Sequence, residues 1–263
     1  MEKLSACVIT YNDEHTVAWS VSSVQWADEI VVVDTGSTDR TVEIAESLGA
    51  RVVRSVRFTG FGEVRNRAAA ECRHAWILSL DADERCPPAA RDEIKGLIAG
   101  AAAHDAYLVP RYNYFMGRLI RGSGWYRDSR TPQLYRRDCM RYLPALSHEG
   151  YELTSGKPVG RLANVFLHCP FHDLDEVLHK ANVISSLGAR TPSNRRASMW
   201  GALGHGTWAF IRLYVLKRGF MDGWAGFVIA LSNFEGTFYR YAKRYEQAQG
   251  WQLPPDPAAS PKS

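Results

Sequence analysis

The first hundred residues fall into short apolar runs separated by polar stretches, and several of the runs end on oxygen-bearing side chains. "LSACVIT", ending at Thr10, predicts a strand, and "YNDEHTVAWSVSSV" follows with Val17, Val21 and Val24 at helical spacing. "EIVVVD" is β-branched and apolar as far as Asp34, as a strand buried on both faces should be. "TGSTDRTVEIAESLGA" reads as a turn, a helix with Ser37 and Thr38 as N-cap candidates, and a stop at Gly49. "RVVRSV" is a third strand, "GFGEVRNRAAAECR" a helix, "AWILSL" a fourth strand, and "PPAARDEIKGLIAG" a helix with prolines suited to its first turn. This alternation predicts an α/β fold: a mostly parallel sheet flanked by helices.

Beyond residue 100 the pattern is less regular. "DAYLVPRYNYFMG" predicts a strand and turn, "TPQLYRR" another strand, "SHEGYEL" a polar turn, and "ANVFLHCPFHDLDEVLHKANVISSLGA" a strand running into an amphipathic helix. From about Ser193 the chain interleaves Trp, Phe, Tyr and Gly with Arg and Lys, and it ends in "LPPDPAASPKS", too rich in Pro and small residues to pack. The expected organisation is one α/β domain over 1–190, a helical aromatic and basic region over 191–250, and a disordered tail over 251–263.

The polar strand ends hold the candidate chemistry. The first strand ends in Thr10-Tyr11-Asn12-Asp13-Glu14, the second in Asp34-Thr35-Gly36-Ser37, and the fourth in Asp81-Ala82-Asp83-Glu84. In open α/β sheets ligands bind outside the carboxyl ends of the strands. Residues two apart in an extended segment point the same way, so Asp81 and Asp83 can face one point, while Glu84 reads as a turn residue. Three carboxylates so close repel one another unless a cation sits among them. Mg²⁺ or Mn²⁺ takes such oxygen ligands and couples them to a diphosphate. There is no G-x-x-x-x-G-K-[ST] loop, and "GFGEVR" has Arg65 where a dinucleotide fingerprint needs its third glycine.

Together, "VITYNDE", "WADEIVVVDTGSTDRT", "GFGEVRNRA" and "WILSLDADE" resemble the nucleotide-binding half of family 2 glycosyltransferases with the GT-A fold, the nucleotide-diphospho-sugar transferase fold. The stretches "YFMGRLIRGSGWYRDSRTPQLYRRD", "SHEGYE" and "RLYVLKRGFMDGWAGFVIA" are similar to the bacterial lipopolysaccharide-core (inner-core) β-glucosyltransferase group within it. The resemblance spans roughly residues 4 to 245. It implies that Thr10, Tyr11, Asn12 and Asp13 or Glu14 line a nucleoside pocket, with Asp34 on the uracil or ribose and Ser37 in the adjoining D-[ST]-G-S-T-D segment. Arg65 would approach the nucleotide, Asp83 would bind Mg²⁺ or Mn²⁺, and Asp81 would face the ribose and sugar. The implied reaction is inverting hexosyl transfer, glucose from UDP-glucose, to a lipopolysaccharide-core or other lipid-linked acceptor. Glu149 of "SHEG" is the implied base and Asp128 a reserve. His148 or His168 could add a metal ligand, although a lone histidine is more often a hydrogen-bonded structural residue. Trp125 and Tyr126 could stack on a sugar or simply pack.

Composition narrows the alternatives. The 263 residues are 46% hydrophobic and 23% charged, ordinary for a globular chain. Five scattered cysteines without CxxC spacing suggest reduced thiols in the cytoplasm rather than a disulfide framework or a zinc site. No signal peptide and no membrane-spanning run is expected. The net charge of +4 is concentrated from about Arg111 onward, which suits an anionic partner. No nucleic-acid motif accompanies it. Trp208, Phe210, Trp224 and Phe227 with Arg212, Lys217 and Arg218 fit a segment lying on the cytoplasmic face of the inner membrane, or a helical hairpin packed on other protein. Two other activities remain: a nucleotidyltransferase, which would need a Gly-rich loop where "TYNDEH" has none, and a non-catalytic nucleotide-sugar-binding partner at the membrane.

Overall fold

A computed structural model of the chain describes residues 2–54, 57–100, 102–143, 150–190 and 198–250. The expected tail over 251–263 lies outside them, as do His148 and Glu149.

The chain divides into two compact units, 1–172 and 173–263. The first unit is built on a seven-stranded sheet. Strands β1 (Leu4–Thr10), β2 (Glu29–Asp34), β3 (Arg51–Val53) and β4 (Trp76–Asp81) are the four expected from the apolar runs. They alternate with helices α1 (Val17–Ser23), α2 (Thr41–Ser47) and α3 (Phe61–Glu71), and α4 (Pro88–Ala99) follows β4. With β6 (Ala106–Leu108), β9 (Pro132–Arg136) and β12 (Gly160–Arg161), the order is β12-β6-β9-β4-β1-β2-β3. The central pairs β1–β2 and β1–β4 are parallel, and β9 runs antiparallel to both its neighbours. This is the mostly parallel, helix-flanked sheet of the GT-A arrangement.

Every residue of β1 is buried, and its side chains divide by parity. Leu4, Ala6 and Val8 join one core with Val17, Val21 and Val24 of the first helical segment, whereas Cys7 and Ile9 join the other with Val64 and Ala68 of α3. A strand covered on both faces needs apolar side chains at every position, which is why β1 and β2 show no alternation.

A four-stranded sheet, order β5-β13-β7-β8, lies at the functional end: β5 (Glu84–Arg85), β7 (Arg111–Phe115), β8 (Arg118–Leu119) and β13 (Phe166–His168). A separate ribbon pairs β10 (Met140–Tyr142) with β11 (Tyr151–Leu153).

The second unit is helical. α5 (Leu174–Arg190) and α6 (Met199–Ile211) both pack on the long α7 (Gly223–Gln249). A π-helical turn at Arg212–Leu216 and a short 3₁₀ turn at Gly219–Asp222 join α6 to α7. Lys243 of α7 donates to Asn182, Ser185 and Ser186 of α5, which ties that helix to the C-terminal unit. No helix among the described residues is long and apolar enough to cross a membrane. All five cysteines are free thiols.

Candidate active site

Strand register gathers the three polar strand ends at one edge. Thr10 pairs with Asp34 across β1–β2, and Ile9 with Asp81 across β1–β4. The β1 loop is then stitched to the β2 loop by side chains. Asn12 donates its backbone N–H to Ser37 Oγ at 2.8 Å and accepts from the Thr38 N–H at 2.8 Å, which holds Asn12 at φ 54°. Asn tolerates that left-handed backbone better than most residues. Asp13 closes the loop by accepting from the Tyr11 N–H and the Thr10 hydroxyl. Glu14 accepts from the Arg40 N–H, turning away toward α2. Tyr11 is left exposed above the edge.

Asp34 is buried, and its carboxylate accepts from the backbone N–H groups of Gly36 and Ser37 at 3.0 Å each. It shapes the Thr35–Ser37 turn from within. Ser37 and Thr38 do not cap α2 as expected, because both bond to Asn12 instead. Arg40 occupies the N-cap without a side-chain cap bond, and Asp39 beside it accepts from the Thr41 N–H at 3.0 Å.

The two β4-end carboxylates part company. Asp81 is gripped by Arg65 of α3, whose guanidinium donates to both carboxylate oxygens at 2.7 and 2.9 Å and to Ser79 Oγ at 3.2 Å. Burial pushes the Asp81 carboxyl up to about 6, against the pull of Arg65, and the nearby Glu84 and Asp83 charges add to the rise. Arg65 also lies over the ring of Tyr142, 5.7 Å from its centroid.

Asp83 faces His168 instead, with Oδ1 3.5 Å from Nε2. The neighbouring sheet arranges this meeting, since β13 pairs His168 with Glu84 of β5 and with Asn113 of β7. Asn113 donates through Nδ2 to Asp128 Oδ1 at 2.9 Å and to the Trp125 carbonyl, so its Oδ1 is left to accept from His168 Nδ1. With the proton on Nδ1, neutral His168 would set a bare Nε2 lone pair against a carboxylate. Either a second proton or a cation resolves that contact. Burial works against the imidazolium, but the Asp83 and Glu84 charges outweigh it and raise His168 above its ordinary value.

Glu84 is not the turn residue expected. It is fully buried, accepting from Arg111 at 2.9 Å, Gln133 at 2.6 Å and the Asp81 backbone N–H at 3.1 Å. Arg111, which opens the basic half of the sequence, is correspondingly held, partly buried, between Glu84 and Asp128 rather than part of a solvated face. Asp128 has one oxygen on Arg111 and the other on Asn113. Burial alone would raise its carboxyl, but these partners hold it below the ordinary carboxylate range. A carboxylate so committed is a weak base.

The structure thus brings Thr10, Asn12, Asp34, Ser37, Arg65, Asp81 and Asp83 to one sheet edge, with Glu14 turned toward α2. Reading the sequence found no sign of Asn113, made Glu84 a turn residue and Arg111 the first of a basic surface, and left His168 as one of two histidines. Only the pairing of two- to five-residue strands brings them to Asp83, and such short strands leave no periodic signal. Among the described residues no group of three metal-ligating side chains converges. Trp125 stacks with Phe171, centroids 6.3 Å apart, and Tyr126 with Tyr112 at 5.4 Å.

Residues 5–149 match the family described as Glycosyl transferase family 2. An uncharacterised glycosyltransferase of Rickettsia typhi is 28% identical over 94% of this chain and 88% of that one. The lipopolysaccharide core biosynthesis glycosyltransferase LpsC of Rhizobium meliloti is 29% identical over 93% of this chain and 92% of its own length. Among solved structures, glucosyl-3-phosphoglycerate synthase of Mycobacterium tuberculosis, in complex with Mn²⁺, UDP and glucosyl-3-phosphoglycerate, has a TM-score of 0.47 at 19% identity, covering 75% of this chain and 83% of that one. S. aureus TarS 1–349 has a TM-score of 0.47 at 14% identity, covering 96% and 93%.

Proposed function

The chain belongs to glycosyl transferase family 2 and is a glycosyltransferase, and on that footing we propose that it performs inverting, metal-dependent transfer of a hexose, glucose from UDP-glucose, to a lipopolysaccharide-core or other lipid-linked acceptor at the membrane surface. The observation that carries the reading is the separation of Asp81, held by Arg65, from Asp83, which faces His168. The first pair suits recognition of the donor's ribose and sugar. The second offers one carboxylate oxygen and one imidazole nitrogen on the same side, a donor set that Mg²⁺ or Mn²⁺ accepts. Two protein ligands leave further positions for diphosphate oxygens. In that role the cation would neutralise charge gathering on the leaving UDP.

The remaining work falls to the chain itself. Tyr11, Asn12 and the Asp34–Ser37 turn border the space for the nucleoside. The acceptor oxygen bonds to the anomeric carbon as the bond to the diphosphate breaks, its electron pair departing with UDP. The acceptor proton passes to a base, for which Glu149 is proposed and His148 stands as a further metal-ligand candidate, both outside the described residues. Support for Glu149 comes from the likeness of "SHEGYE" to the lipopolysaccharide-core group. The lipopolysaccharide reading draws on the name of the Rhizobium relative.

A panel of nucleotide sugars tests the reading by thermal shift and by transfer to deacylated lipopolysaccharide core. UDP-hexoses should stabilise the protein only with Mn²⁺ or Mg²⁺. Glu149→Gln should keep UDP binding and lose transfer. A Glu149→Gln variant with normal transfer removes the proposed base, and stabilisation by no nucleotide sugar removes the donor reading.

A further inference from the structure

The C-terminal helices expose side chains that a water-facing hairpin would not keep there. Trp200 is 84% exposed, Trp224 77% and Met221 64%, with Leu216, Trp208, Phe220 and Val215 each at least half exposed. Isolated surface apolar residues need no explanation, but a continuous set of large ones does. On α6, Trp200, Leu203, Trp208 and Ile211 fall at helical spacing on one face and all are exposed. The π-helical turn then shifts the register, burying Leu213 while Val215 and Leu216 emerge at the tip beside Phe220, Met221 and Trp224.

The tip is rigid. Gly226 of α7 meets the Gly219 backbone so closely that a Cβ would lie 1.8 Å from the Gly219 carbonyl oxygen. Phe227 makes edge contacts with Phe210, Tyr214 and Trp224, bracing the exposed residues from behind. Exposure here is therefore built, since a floppy loop could fold its aromatics inward.

Charge identifies the occupant. Between Met199 and Phe234 the cations are Arg212, Lys217 and Arg218, all exposed, and the single carboxylate, Asp222, is buried. Against a second copy of this chain across a two-fold axis, these three cations would face their own images. An anionic bilayer surface pairs with them instead, and Trp with Arg and Lys is the composition that settles at headgroup depth.

We propose that the tip formed by Ile211–Trp224 docks on an anionic lipid surface, inserting Leu216, Phe220, Met221 and Trp224 while Arg212, Lys217 and Arg218 hold the headgroups. This deepens the lipid-linked-acceptor reading by naming the element that meets the membrane, and it can be tested apart from catalysis. The full chain is floated with vesicles of phosphatidylethanolamine and phosphatidylglycerol, and with phosphatidylcholine alone. Binding is expected to the anionic vesicles and to weaken as salt is raised. Met221→Ser with Trp224→Ser should weaken it about tenfold or more, and joint replacement of Arg212, Lys217 and Arg218 by Gln about 100-fold. Both sets of changes are at exposed positions and should leave the circular dichroism spectrum and UDP-hexose stabilisation as in the parent. The proposal is overturned if the parent does not float with anionic vesicles, if either variant binds like the parent, or if the parent is a dimer that these changes dissociate. Vesicle binding without any nucleotide-sugar binding would instead overturn the donor reading and leave the docking surface standing.

Discussion

Asp81 and Asp83 are two residues apart, yet their surroundings give them different chemistry. Burial raises Asp81 to about 6 despite Arg65. Donor hydroxyls bind an ionised acceptor better than a protonated one. UDP-glucose, whose diphosphate has no proton to gain near neutrality, should therefore lose affinity as pH falls through about 6. Calorimetry across that range should give a sloping profile for the parent and a flat, weak one for Asp81→Asn; equal slopes would exclude Asp81 from the donor site. Asp128 behaves oppositely. Its folded-state pKa is depressed below the ordinary 3.8, so the stability it contributes is present above that value and is lost as pH falls below it. Asp128→Asn should cost about 2 kcal/mol at neutral pH, the scale of hydrogen bonds to charged groups. The difference from the parent should shrink toward pH 3 in denaturant titrations; a gap independent of pH would show that the charge is not what matters. Trimming Glu84 differs again, since it would strand Arg111 beside Asp128 alone.

The strands that carry the site were legible where the chain repeats one burial environment for six or seven residues. β1, β2 and β4 are buried along nearly their whole length, and their oxygen-bearing ends mark where the cover stops. In the second sheet the strands at β7 and β13 were legible, but β5 and the pairing that joins the three were not. β5 has two residues and β13 three, and each is defined by a partner far along the chain. His168 therefore looked like any lone histidine, and Arg111 like the first of many surface cations. Capping misled for a local reason: Ser37 and Thr38 have the right chemistry for an N-cap, but Asn12 takes both. In the helical unit the Gly219–Gly226 approach decides the shape of the turn. Gly226→Ala should prevent the tip from closing, lower the thermal midpoint by several degrees and abolish anionic-vesicle binding, with UDP-hexose binding retained. A variant with parental melting and vesicle binding would mean that the close approach is not required.

The molecule as a whole divides its work between two units. Residues 1–172 hold a sheet edge with two separated carboxylates, and residues 173–263 hold a helical hairpin with an apolar, cationic tip. The sequence showed the outlines of both, because buried strands and amphipathic helices each impose a period on the chain. It could not show which histidine faces which aspartate, because that depends on register between distant strands. Membership of glycosyl transferase family 2 settles the class of reaction. The central claim is that Asp83, beside His168, makes donor activation depend on a divalent cation. Hydrolysis of UDP-hexoses by the purified chain, with and without Mn²⁺ and with Asp83→Ala in parallel, tests it most directly. Hydrolysis is expected only in the presence of the metal, with a loss on the order of 100-fold in Asp83→Ala and the fold intact by circular dichroism. Equal hydrolysis by the parent and Asp83→Ala, or undiminished hydrolysis in a chelator, would contradict it.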